Sequence, residues 1–219
     1  MPTINKRFLL KLVLVVLGVG GSLAAALPDA LRRQADRSAD NGKTDAAIHY
    51  LRQYLEFEPA DVEAHVRLVD LIKGRAATGR GQNELVFLYD KILRLYPDRD
   101  DTRRAALAHC LKVGRHSDAA AHADALVQRH PADGGLWMQL GTARLGLNQV
   151  AEARAAFETA ITTDPGAMAG YQRLAQVRWK NQNDPAGARA VLDRMVAAVP
   201  QEPQAYLTRA RFEAFLAED

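Results

Sequence analysis

Apolar positions return in one fixed order before five prolines, Pro59, Pro97, Pro131, Pro165 and Pro200, which are separated by 38, 34, 34 and 35 residues. Twelve residues before each stand Ala47, Leu85, Ala119, Ala153 and Ala188, and eight before stand Leu51, Tyr89, Ala123, Phe157 and Leu192. Five and four before come Tyr54-Leu55, Ile92-Leu93, Leu126-Val127, Ala160-Ile161 and Met195-Val196. That spacing follows one face of an α-helix, with polar residues between. Each proline closes its helix, because it has no N–H and disfavours α geometry in the residue before it. Strand signals are absent from the pattern, and a period near 34 residues is that of stacked helix pairs.

Each unit is therefore read as two antiparallel helices. In the fourth, Trp137 to Leu147 forms the first helix, Asn148-Gln149 the turn and Val150 to Thr162 the second, with Asp164-Pro165 ending it. Trp137-x2-Leu140-Gly141, then Ala153-x3-Phe157-x2-Ala160, then Pro165 resembles the tetratricopeptide repeat. The fifth unit repeats the order with Tyr171, Leu174, Ala175, Ala188, Leu192 and Pro200. One extra residue falls near Asn183-Asp184-Pro185, where Pro185 opens the second helix. The first helices of earlier units depart from the pattern: Leu31, Gln34 and Ala35 in the first, His65, Leu68 and Val69 in the second, Arg103, Ala106 and Leu107 in the third. The second unit also carries a turn lengthened over Gly74 to Asn83, and Gly114 is placed as a left-handed helix cap. Gly141 and Ala153 are expected to face one another where paired helices approach. The resemblance implies an all-α, right-handed solenoid over residues 28–219. Its units run over about 28–61, 62–99, 100–133, 134–167 and 168–202, followed by a terminal helix at 203–219.

Residues 1–27 have a different character. Lys6, Arg7 and Lys11 precede a continuous apolar run, Leu12 to Val19, and then Gly20 to Ala26. Two readings stay open: a secretory signal cleaved after Ala26, or a membrane anchor from Phe8 to Leu27, ending before Pro28. Both place the repeats outside the cytoplasm.

The composition gives ample core, with 48% hydrophobic residues, while Ala-rich segments and only 6% aromatics favour closely packed helices. The formal charge of +3 belongs wholly to the leader, and the remaining chain has 26 basic and 26 acidic residues. Interspersed charge of both signs does not provide the basic stripe that phosphate binding needs, so nucleic acid is not an expected partner. Cys110 is the only cysteine, which excludes an internal disulfide and a thiolate metal cage.

Chemistry-bearing motifs are also weak. Gly74 to Gly79 has the glycine spacing of a phosphate loop, but Arg80-Gly81 stands where Lys and Ser/Thr are needed. His109, His116, His122 and His130 share one unit without the i, i+4 spacing of helix metal ligands, and read as solvated or packed side chains. Ser22, Ser38 and Ser117 lie in no nucleophile elbow. Neither catalysis nor a cofactor or metal is expected.

The tetratricopeptide resemblance instead implies a concave partner groove lined by first helices. By position these are Glu63, Val66, Asp70 and Lys73; Asp101, Arg104, Leu111 and Lys112; Met138, Thr142 and Leu145; and Gln172, Gln176, Trp179 and Lys180. Such a lining suits a peptide or a helix. Met138, Leu145 and Trp179 have a second reading as core between adjacent units. The clamp with which some family members hold a terminal carboxylate is missing, since Arg32 and Asp36 stand at its Lys and Asn positions. Gln204 to Asp219 reads as the first helix of a sixth unit, with Tyr206, Leu207, Ala210, Phe212, Phe215 and Leu216 spread around it. That distribution leaves three readings: a continuing array, self-association here, or a fragment of a longer chain. The functional expectation is an exported bacterial protein-interaction scaffold or adaptor in envelope assembly. Its alternative is the regulatory or substrate-presenting arm of a larger enzyme.

Overall fold

The computed structural model describes the backbone of residues 20–75 and 79–218, and the side chains of residues 26–74 and 81–215. Among these, eleven α-helices and no strand are found. One compact unit ends at Arg99 and contains α1 (Gly20–Asp40), α2 (Thr44–Phe57), α3 (Val62–Arg75) and α4 (Gly79–Leu95). A second begins at Asp100. It contains α5 (Asp100–Lys112), α6 (His116–Arg129), α7 (Gly134–Gly146), α8 (Val150–Thr163), α9 (Met168–Gln176), a π-helical turn (Val177–Asn181), α10 (Pro185–Ala198) and α11 (Pro203–Glu218). Within each unit, helices pack chiefly on their neighbours in the chain.

The periodic apolar positions are the core. Every residue twelve, eight and five before a repeat proline is buried, and so are those four before, except the half-buried Val196. Phe157 is wholly enclosed, in a cluster with Ile161, Tyr171, Leu174, Leu192 and Met195. Gly141 faces the ring of Phe157: a Cβ on Gly141 would lie 2.5 to 2.9 Å from three ring carbons. The glycine is thus the recess into which the largest side chain of this helix pair fits.

Four of the turns within pairs share one capping conformation. Gly42, Gly114, Asn148 and Asn183 have φ of 70°, 75°, 59° and 52°, the left-handed conformation that caps helices. Each lies 17 residues before its closing proline. In the first three cases the next residue's N–H reaches five residues back, Lys43 to Ser38, Arg115 to Cys110 and Gln149 to Arg144, at 2.8 to 2.9 Å. In the fourth, Asp184 reaches six back, to Arg178. The extra residue of the fifth unit is therefore absorbed upstream of the cap, in the π-helical turn, the usual way for a helix to accommodate one surplus residue. Pro185 opens α10 at its first turn, with Asp184 accepting from the Gly187 N–H at 2.7 Å.

One expectation needs correction. The lengthened turn from Gly74 to Asn83 is largely helix, since α3 continues to Arg75 and α4 begins at Gly79. Winding these residues into helix pairs backbone groups that a loop leaves to solvent. α1 runs through Pro28, from Gly20 to Asp40. At that site proline removes one helical N–H without ending the helix. Most of the expected leader, residues 1–19, lies outside the described residues. Among the described residues no helix is long and apolar enough to cross a membrane.

The closing prolines have a second role at the junctions. Although they lack a donor, the carbonyls of three of them accept from the aromatic residue in the first turns of the next first helix, six positions on. Trp137 Nε1 donates to Pro131 O at 2.8 Å, Tyr171 Oη to Pro165 O at 3.2 Å, and Tyr206 Oη to Pro200 O at 3.1 Å. The equivalent place after Pro59 is held by His65, whose Nδ1 is 2.7 Å from Asp61 O. Asp61 and Asp133, each two residues past a proline, accept the N–H groups of Ala64 and Leu136 at their helix starts. Each also receives an arginine from 29 residues upstream: Arg32 at 2.6 Å and Arg104 at 2.8 Å. These junctions repeat a register that apolar burial alone leaves loose.

Candidate functional site

In the second unit the first helices of successive pairs lie beside one another. α5 touches α7, the Met138 sulfur lies 3.6 Å from where a Gly170 side chain would begin, and Gln172 donates to Thr208 at 3.3 Å. The absence of a side chain at Gly170 is what lets α9 come this near to Met138 and Ile161. α11 continues the row, so its side chains share a face with those of α9 and the π-helical turn.

On that face lies an open cavity of about 300 Å³, walled by Trp179, Phe212, Phe215, Leu192 and Ala175. Its polar edge is made by Gln172, Gln176, Thr208, Lys180 and Arg211. The Trp179 ring meets Phe212 edge-on at 5.5 Å and Phe215 at 4.8 Å, arrangements that aromatic quadrupoles favour. The Lys180 ammonium lies 5.0 Å from the Trp179 ring centroid, close enough for a cation–π attraction. The π-helical turn is what positions this pair, since the surplus residue alters the angle at which residues 177–181 leave α9.

Four expected groove residues, Gln172, Gln176, Trp179 and Lys180, thus meet in one pocket. Trp179 combines both of its expected roles, being half-buried against the core cluster and also a pocket wall. Met138 and Leu145 pack against the same cluster, which supports their reading as core. Thr142 directs its hydroxyl inward to Met138 O at 2.9 Å. Arg104 is engaged by Asp133, while Lys112 is exposed. In the unit ending at Arg99, Asp70 and Lys73 are exposed and 3.9 Å apart, Lys73 sits over the Tyr89 ring, and Val66 is half-buried. The pocket's other half, Thr208, Arg211, Phe212 and Phe215, was not placed in the groove by the sequence. The signal was the apolar residues spread around α11, which a purely terminal helix does not need.

The histidines have local partners. His130 Nε2 lies 2.5 Å from Asp100, and His116 packs against Gly146. His122 is buried in α6. The His130 hydrogen bond, aided by Arg129, holds the Asp100 carboxyl below its ordinary pKa despite partial burial. For Asp133, burial acts upward but is outweighed by Arg104 and the Leu136 N–H, again giving a lowered pKa. These carboxylates are ionised junction pieces. Among the described residues no group of three or more His, Cys, Asp and Glu is placed to hold a metal. What the site offers is apolar contact area with donors and positive charge at its edge.

The comparisons agree with this reading of the helices. The tetratricopeptide repeat family matches residues 106–167 and 138–203, which include the junctions at Pro131, Pro165 and Pro200. Among curated proteins none matches the sequence. Among solved structures, MamA 41-end from Desulfovibrio magneticus RS-1 is 21% identical, with 80% of this chain and 97% of that chain aligned at a TM-score of 0.61. A crystal structure of MamA protein gives 14% identity, 82% and 96% coverage, and a TM-score of 0.64. At such identities the likeness concerns the fold. With the family match, the repeated turn and the proline junctions in one register, residues 106–203 are tetratricopeptide repeats.

Proposed function

We propose that this chain is a non-catalytic protein-interaction scaffold, whose second unit captures a peptide or helix of a partner in the pocket formed by α9, the π-helical turn and α11. The observation that carries the reading is the meeting of Gln172, Gln176, Trp179 and Lys180 with two phenylalanines of α11 around one open cavity. A half-buried tryptophan in an apolar pocket with a polar edge is the usual composition of an energetic anchor at protein interfaces. The leader's positive start and apolar run support presentation of the repeats outside the cytoplasmic membrane, where the scaffold would serve assembly of envelope complexes. Crosslinking and capture from envelope fractions tests the reading, comparing the native chain with Trp179→Ala combined with Gln176→Ala. Specific partner bands should disappear in the variant, as expected for loss of an anchor of about 2 kcal/mol or more. Unchanged capture by a folded variant refutes use of this pocket. A reporter fused after Asp219 should be active only in the periplasm, and cytoplasmic activity would refute the proposed presentation.

A further inference from the structure

The scaffold reading does not specify what kind of segment enters the pocket, but the charge around the cavity is one-sided. Lys180 and Arg211 stand at its edge, and none of the ten lining residues is acidic. Among the described residues, carboxylates on the adjoining helices are engaged elsewhere: Glu213 with Arg189 at 2.9 Å, Asp193 with Arg209 at 2.5 Å, and Glu158 with Arg194 at 3.1 Å. Lys180 and Arg211 form no ion pair among the described residues, and Lys180 is drawn over Trp179 at the edge of the cavity. Gln172, Gln176 and Thr208 add neutral donors beside them. For size, a cavity of about 150 Å³ holds a benzene ring. The volume of about 300 Å³ here takes one large apolar side chain together with nearby backbone.

We infer that the pocket receives a bulky apolar side chain from an acidic linear segment of a partner protein, whose carboxylates lie on Lys180 and Arg211. This rests on the scaffold reading above and deepens it by fixing the partner's chemistry. The apolar side chain covers the faces of Trp179, Phe212 and Phe215 that remain open. The flanking carboxylates meet two cations that form no ion pair among the described residues, which makes association salt-dependent. A basic segment gains the same apolar contact but meets like charge at the edge.

The test uses the full chain and a labelled peptide, acetyl-Gly-Glu-Asp-Phe-Asp-Glu-Gly-amide, followed by fluorescence anisotropy. Saturable binding is expected, weakened by added salt and reduced about tenfold or more when the peptide's Phe is replaced by Ala. The double variant Lys180→Glu with Arg211→Glu should bind about tenfold more weakly, as expected for reversing two exposed charges. It should bind better a peptide in which Lys replaces all four acids. The inference is overturned if the native chain binds the Lys peptide as well as the acidic one. Tighter binding of a single-stranded oligothymidylate, or no saturable peptide binding up to about 1 mM, also overturns it. The peptide arms on the native chain need no variant to fold. If they fail while Trp179→Ala with Gln176→Ala still abolishes partner crosslinking, the acidic-segment inference falls and the scaffold reading stands. If crosslinking is unchanged by that variant, the scaffold reading of this pocket falls.

Discussion

Replacing Gly141 by alanine tests the packing between α7 and α8 most directly. The new Cβ would stand 2.5, 2.6 and 2.9 Å from carbons of the Phe157 ring, against an ordinary separation of about 3.5 to 4.0 Å. Relief needs a shift of about 1 Å. Phe157 is wholly enclosed, so the ring cannot yield towards solvent. Overpacking of this kind costs about 1 to 3 kcal/mol. Alanine returns about 1 kcal/mol through its helix propensity, so the expected net loss is about 0 to 2 kcal/mol. The informative quantity is the change of sign in a second background. With Phe157→Leu the obstruction is removed, and Gly141→Ala should then stabilise by a few tenths to about 1 kcal/mol. The cycle therefore predicts a coupling of about 1 to 3 kcal/mol, measurable by urea unfolding followed by helix circular dichroism. Equal effects of Gly141→Ala in both backgrounds would show that ring and glycine do not share this space.

Ala153→Leu, at a fully buried site twelve residues before Pro165, should lower the melting temperature by overpacking, and an unchanged melt would refute the register assigned to α8. Tyr171→Phe removes the donor to Pro165 O, and a loss of about 0.5 to 1.5 kcal/mol in chemical unfolding is expected. His65 is enclosed in α3 with its Nε2 atom unpaired, and burial lowers its pKa from 6.5. The unfolded chain thus binds this proton more readily, so stability should be full above pH 6.5 and fall as pH drops from there towards the folded value. His65→Gln should flatten that part of the profile. The Asp100 pKa is lowered by His130 and Arg129, so its contribution is present above 3.8 and lost as pH falls through the folded value. Asp100→Asn should remove that acid limb.

The helix pairs were legible because burial follows a rule of spacing: whatever is twelve, eight and five residues before a repeat proline is inside. Gly114 and Pro185 were legible for a different reason, as their backbone preferences fit only one place in a turn. Gly74 to Asn83 misled because glycines and polar residues are read as a loop, whereas helix hydrogen bonding can hold such residues. The pocket was half legible. Gln172, Gln176, Trp179 and Lys180 follow from their positions in a first helix, but their aim depends on the π-helical turn, which one surplus residue signals without locating. Phe212 and Phe215 needed the distance between α9 and α11, which no local pattern contains. Gly141 shows a similar limit: its smallness was readable, while the Phe157 ring that fills the space beside it depended on side-chain direction.

The bond from each aromatic residue to the proline carbonyl six positions earlier is wholly local to its junction. Excising residues 132–165 would join Pro131 to Gly166 and bring Tyr171 to the sixth place after Pro131, so the severed junction would be remade at once. Duplication of the same block would copy a junction along with its helices. A chain joined this way can lengthen or shorten by whole units while keeping this bond at the seam, which makes unit number a quantity that gene rearrangement can vary.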